Sequence, residues 1–275
     1  MGEQPLANRV VMAPLTRCRA TNPDLAPTEL HARYYSQRAS AGLIVTEGTW
    51  ISRDAVGWHD VPGLFTEAQV RGWSAVTDAV HREGGVIFAQ LWHTGSTSHP
   101  DFFAGTAPLG PSAVNPGLRS PTPSGDKPTV TPRAMTRDDI RTLATTEYIV
   151  DRLNDYPLAH WLLMGAMADL SGGPLSDLQG DSMFSYFRPR YRGTVIANVG
   201  MTRERGNRLI ADELADLVAF GQTFIANPDL PARFAALAPI ERSDRALHYT
   251  PGPHGYTDYP PYQRTVEAQG RDSVT

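Results

Sequence analysis

Six short apolar runs rich in β-branched residues punctuate the chain: "RVVMAPLT", "GLIVTEGTW", "GVIFAQLWH", "HWLLMG", "TVIANVG" and "DLVAFGQTFI". Between them lie stretches whose apolar residues recur at helical spacing, such as "PTELHARYYSQRAS", "TEAQVRGWSAVTDAVHREGG" and "RERGNRLIADELA". A chain that alternates strand and helix buries both faces of a parallel sheet, so the pattern predicts an α/β architecture.

Two features favour a (β/α) barrel over an open doubly wound sheet. No Gly-rich dinucleotide turn follows the first run, and polar or glycine residues crowd the strand ends: Thr16, Gly48, Gln90, Gly200 and Gly221. In barrels the C-terminal strand ends form the chemical face. The loops after the last two strands, here "NVGMTRERG" and "FGQTFIANPDL", commonly hold a phosphate.

The strand spacing is uneven, because the third run starts near Gly85 and the fourth near His160. Part of the interval is the Pro/Gly/Ser-rich segment 94–132, which reads as a lid-like loop over the barrel mouth. The rest reads as helix, opened by a capping box at Thr136 and Asp139. Its apolar phase slips: Ile140, Leu143, Ala144 and Tyr148 share one face, whereas Ile149, Val150 and Leu153 centre roughly 150° away at about 100° per residue. The slip marks a junction near residues 144–149, within one helix or two kinked segments spanning 136–156 and no strand.

Composition narrows the function classes. With 275 residues, 41% hydrophobic and 20% charged, the chain suits a single barrel domain over residues 1–275. A net charge of -4 without long runs of either sign gives no nucleic-acid or anionic-membrane surface, and the expected partners are small molecules; oligomeric state is not legible. The lone Cys18 reads as a packing residue, excludes an intrachain disulfide framework or a multi-cysteine metal site, and suggests a reducing compartment. No signal-like or membrane-spanning run stands out, so a cytoplasmic location is expected. Lys127 is the single lysine and lies in a turn-like loop, which argues against Schiff-base chemistry.

The motifs "VVMAPLTRCRA", "YYSQRASAGLIVTEGTWIS", "GVIFAQLWHTG", "YRGTVIANVGMTRE", "DLVAFGQTFIANPDL" and "HGYTDYP" together resemble the Old Yellow Enzyme family. The resemblance implies an FMN-containing TIM-barrel-like fold that takes hydride from NAD(P)H and delivers it to an activated alkene such as an enone. By that resemblance Pro14, Leu15 and Thr16 line the flavin, Gly48 passes close to its edge and Gln90 bonds its pyrimidine ring. Val199, Gly200 and Gly221 offer backbone N–H groups to the phosphate, Gln222 stands where the family has a phosphate-binding Arg, and Trp92 and Tyr256 flank the substrate space.

The departures are as specific as the matches. Family members carry a strand ending in His-x-x-Asn followed closely by a Tyr, then a helix and a strand ending in Arg, and this chain has none of them. No catalytic residue is therefore assigned. "TRDDIRTLATTE" resembles the helix before that unit and "YIVDRLNDYPLAHWLLM" the helix after it. The expectation is an incomplete barrel of about six strands in place of the usual eight, either strained closed or left open. Ser96 and Val199 also replace usual family residues, Arg and Gly respectively. Two functional readings follow: an impaired FMN oxidoreductase, or a barrel protein that no longer binds the cofactor.

Overall fold

The computed structural model describes residues 5–136, 139, 161–164, 180–190 and 193–262. Its main sheet contains the six anticipated strands: β1 (Val10–Met12), β2 (Leu43–Trp50), β3 (Ile87–Trp92), β8 (Trp161–Met164), β9 (Val195–Asn198) and β10 (Leu217–Phe220). All neighbours run parallel in the order β3-β2-β1-β10-β9-β8. Of the two alternatives, closed or open, the sheet is open among the described residues. β3 and β8 are its edges, the two strands that flank the missing unit in sequence.

The period of two along each strand divides the core into two layers. Val11, Ala13, Leu43, Val45, Ile196, Leu217 and Ala219 pack together on the concave side. Their alternates, Met12, Ile44, Val195, Ala197, Val218 and Phe220, pack outward against helices. The helix Glu67–Arg82 supplies Trp73, Val76 and Val80 to that layer, at the spacing of one helical face. It starts at a capping box: Gln69 N–H bonds Thr66 Oγ1 at 3.3 Å and Gln69 Oε1 accepts the Thr66 N–H at 3.1 Å. Helices Glu29–Ser36 and Arg203–Ala211 likewise match the apolar periodicity read from sequence.

Segment 94–132 has structure of its own. β5 (Arg119–Thr122) and β6 (Gly125–Pro128) form an antiparallel hairpin, and β4 (Leu109–Gly110) pairs with β7 (Arg133–Ala134). Lys127 and the Thr122 hydroxyl both bond Asp101 Oδ2, at 2.7 and 2.8 Å, which ties the hairpin to the preceding turn. The box at Thr136 and Asp139 forms, with Asp139 N–H on Thr136 Oγ1 at 3.1 Å and Thr136 N–H on Asp139 Oδ2 at 2.7 Å. The junction expected at 144–149, with most of the helix expected around it, lies outside the described residues. Among the described residues no helix is long and apolar enough to cross a membrane.

Candidate functional site

Parallel pairing brings the expected cofactor residues to one end of the sheet. Met12 is in register with both Ile44 and Phe220, so Pro14–Thr16 and Gly221 leave adjacent strands at the same level. Leu15 Cδ2 lies 3.4 Å from the position a Cβ would take on Gly221. Gly48 is in register with Gln90, beyond a shift in the β2–β3 pairing between Val45 and Gly48. Gly200 follows β9 with φ +64.

Their environments differ. Pro14, Leu15 and Thr16 are half-buried, Gln90 and Gln222 are exposed, and Gly48 is buried. The Trp92 ring lies directly on Gly48, where a Cβ would come within 2.2 Å of it. Glycine is required at residue 48 because of that ring, which stacks on Trp50 at 4.8 Å between centroids. Tyr256 has no exposed surface: it stacks on Tyr34 at 3.8 Å and 7°, with the Arg19 guanidinium 4.7 Å from its ring. In this arrangement Tyr256 builds the wall behind the β1 loop and does not face an opening.

After β9 the chain is strained. Val199 has φ +77, a left-handed conformation that a β-branched side chain strongly disfavours. Its N–H donates to Asn198 Oδ1 at 2.7 Å, and Arg205 Nη1 donates to the carbonyls of Val199 and Gly200 at 2.9 and 3.2 Å. Beside these residues Met201, Thr202, Thr223 and Arg233 line a cavity of about 290 Å³.

Behind the mouth lies a buried charge cluster that the motif reading did not single out. Arg17, Arg19 and Arg38 are almost wholly enclosed. Arg17 donates to the carbonyls of His248 and Gly255 at 2.9 and 2.8 Å and to the Tyr34 hydroxyl at 3.1 Å. Arg19 bonds the carbonyls of His248 and Leu247 at 2.7 and 2.9 Å. Arg38 donates to Phe224 and Ile225 carbonyls at 3.1 and 2.9 Å, just beyond Gly221 and Gln222. The three arginines thus staple the loop after β1, the turn after β10 and the 245–257 segment together. The facing carboxylate is Glu47, fully buried in β2. A charge inside "LIVTEGTW", a run otherwise suited to a strand buried on both faces, was the available sequence signal.

Two further titratable groups lie in the loops after β3 and β1. His93 Nδ1 accepts the Gly95 N–H at 3.0 Å, which leaves Nε2 as the protonated nitrogen, buried and without a partner among the described residues. Burial lowers its pKa, so the ring is neutral near pH 7. Burial pushes the Cys18 thiol up to about 12, in keeping with a packing residue.

Comparison with known proteins identifies the family and the fold. The sequence profile of the NADH:flavin oxidoreductase / NADH oxidase family matches residues 1–149. The chain is 31% identical to 12-oxophytodienoate reductase 1 of Oryza sativa subsp. japonica over 351 aligned positions, covering 94% of this chain and 91% of the relative. That alignment is longer than the 275-residue chain, so it contains gaps on this chain's side. Among solved structures, morphinone reductase in complex with tetrahydroNAD superposes with a TM-score of 0.77 at 30% identity, covering 99% of this chain and 97% of that one. The old yellow enzyme homologue from Zymomonas mobilis also gives 0.77, at 29% identity, covering 94% and 97%. With its parallel curled sheet, its shared motifs and its shortened middle, this chain belongs to the NADH:flavin oxidoreductase / NADH oxidase family, the Old Yellow Enzymes.

Proposed function

We propose that this chain binds FMN at the C-terminal ends of β1, β9 and β10 and uses NAD(P)H to reduce an activated alkene such as an enone, at a rate cut severely by the loss of the unit between β3 and β8. The observation that carries the reading is the division of the site. The expected flavin contacts after β1, β9 and β10 stand on the continuous part of the sheet. The residues that would act on substrate belong to the strands that are missing.

The residues present fit the cofactor in part. Gly200 has an exposed backbone at positive φ, and it adjoins Gly221, Gln222 and the cavity at Thr202 and Thr223. Pro14–Thr16 would face the ring system, with the Thr16 hydroxyl as a donor to a flavin carbonyl. When bound, FMN would supply the hydride relay between nicotinamide and alkene. Gln222 offers a neutral amide where a guanidinium would give a charge-assisted bond. His93 Nε2–H is a donor without a partner among the described residues, but it stands without the second donor of the family's His-x-x-Asn pair. Trp92 and Tyr256 would flank substrate only after a rearrangement that lifts Trp92 off Gly48 and uncovers Tyr256.

The junction is proposed at 144–149 within a single domain, with segment 94–132 as a lid. The end of the family match at residue 149 and the edge positions of β3 and β8 support it. A cytoplasmic location is proposed on the single cysteine. A second reading, a barrel protein that no longer binds FMN, draws on the Trp92 ring over Gly48 and on the Val199 N–H already taken by Asn198.

Purified protein reconstituted with FMN decides between them. Flavin absorption retained through desalting, with quenching of flavin fluorescence on titration, is the expected result. A colourless protein that leaves flavin fluorescence unchanged would establish the second reading.

A further inference from the structure

We propose that Glu47 is a positioning residue for the flavin-facing Pro14–Thr16 segment, and that its hold on that segment changes with the protonation of its carboxyl group. The proposal rests on the reading of Pro14–Thr16 as flavin contacts, and it concerns an interaction the chain makes whether or not flavin is present.

Glu47 sits where the β2–β3 register shifts, and Thr46 and Thr49 donate their hydroxyls to its carbonyl at 2.9 and 3.0 Å. Such an irregularity re-aims a side chain that regular pleating would point elsewhere. Its Oε2 accepts the backbone N–H of Arg17, the residue after Thr16, at 3.2 Å. Its Oε1 accepts the Tyr35 hydroxyl at 3.4 Å, and the Tyr35 oxygen in turn accepts the Glu47 N–H at 2.9 Å. The Arg17 bond lies at the long end of the N–H···O range and the Tyr35 contact is longer than a usual O–H···O bond, so the carboxyl's hold on the chain runs mainly through the Arg17 N–H, a bond that a charged acceptor strengthens.

Among the described residues no cationic side chain bonds Glu47. Arg17 offers its main chain while its guanidinium is committed to His248, Gly255 and Tyr34. The titratable and charged groups that act on the carboxyl are Arg17, Cys18 and Arg19 from the β1 loop, Tyr35 from the helix Glu29–Ser36, and Tyr256 from the C-terminal segment, with Tyr34 of that helix and Arg38 just after it packed behind them against Arg17 and Tyr256. Burial raises the carboxyl pKa to about 7, against the opposing pull of the Arg17 N–H, the Arg17 and Arg19 charges and the Tyr35 hydroxyl.

Ionised, the group accepts from both donors that face it. Protonated, it brings a third donor into a place already supplied with two, and one oxygen gives up its capacity as a charged acceptor. The Arg17 N–H bond weakens, and with it the restraint on the residues just before Arg17. Flavin binding should therefore tighten as pH rises through about 7.

The test compares the wild type with Glu47→Gln, which keeps two hydrogen-bonding atoms and removes the ionisation. Hydrogen exchange at the Arg17 amide of the flavin-free protein, corrected for intrinsic exchange, should show protection rising several-fold across pH 7 in the wild type and staying flat in the variant. Riboflavin titration over the same window should show affinity rising several-fold in the wild type alone; riboflavin is used because it lacks the titrating phosphate of FMN. Tyr35→Phe removes one bond to the ionised form and should move the midpoint to higher pH, a second route if Glu47→Gln fails to fold. Identical pH profiles in wild type and both variants would overturn the proposal. If riboflavin binds none of the proteins, the flavin-site reading fails, while the Arg17 exchange profile still decides the role of Glu47.

Discussion

β2 and β3 are neighbours in one sheet, yet they inhabit different environments. All eight residues of β2 are buried, whereas Ala89, Gln90 and Leu91 of β3 are exposed, Leu91 by 44%. β2 has a parallel partner on each side, and β3 has one among the described residues. The contrast shows how a parallel barrel tolerates the loss of an adjacent strand pair. Each strand is registered by its immediate neighbours alone, so pairing from β2 through β9 persists and the damage falls on the two new edges. On the proposed function chemistry does not share that tolerance, because the family's His-x-x-Asn pair and Tyr would be borne by the strands this chain lacks.

The largest effect that would break this comparison is catalytic. With FMN in excess, enone reduction should be slower than in an intact family member by about 10² to 10⁴ for the absent proton donor, and by roughly another 10² to 10³ for the absent carbonyl donors. Anaerobic NADPH consumption with and without cyclohexenone measures it. Brisk enone-dependent turnover would mean that the continuous half of the site suffices.

Next in size is the pH dependence of folding. Burial pushes the Glu47 carboxyl up to about 7 in the folded protein against an ordinary value of 4.5, so the folded state holds that proton more tightly than the unfolded chain. Its contribution is fully present below pH 4.5 and is lost as pH rises to and beyond 7, a change on the order of 3 kcal/mol. Urea unfolding of the wild type and Glu47→Gln should diverge in that window, the wild type losing stability relative to the variant as pH rises. Parallel curves would place the charge elsewhere.

Restoring charge after β10 sharpens the comparison from the other side. Gln222→Arg adds a charge-assisted bond of about 1.5–3 kcal/mol to the expected phosphate position, so FMN should bind roughly ten- to a hundred-fold more tightly. Fluorescence titration reads this directly, and unchanged affinity would remove Gln222 from the site.

A smaller gain is expected after β9. Val199→Gly relieves a β-branched residue at φ +77, and the net gain, after the extra freedom glycine gives the unfolded chain, should be about 1 kcal/mol in chemical denaturation. Smallest is Leu91→Lys at the exposed edge, which should move stability by no more than about 0.5 kcal/mol while lowering self-association in light scattering. A large destabilisation there would mean that β3 is buried after all.

Much of this was legible from the chain alone. The six runs became six strands because apolar, β-branched segments of that length have few other ways to bury both faces, and the cap at Thr136 is set by local hydrogen bonding. The absence of the His-x-x-Asn unit is likewise a fact of sequence. The positions of Pro14–Thr16, Gly48, Gln90, Gly200 and Gly221 at one end of the sheet follow from parallel pairing once the strands are known.

Tertiary structure alone decided the rest, because it depends on which groups meet across long sequence separations. Spacing along the chain could not say whether six strands close, and the outcome turned on β3 and β8 having no mutual pairing among the described residues. It could not place Trp92 on Gly48, or Tyr256 flat against Tyr34, since both contacts depend on side-chain directions at distant positions. Nor could it show that Arg17, Arg19, Arg38 and Glu47 share one enclosed region, where low polarity couples charges that water would have screened apart.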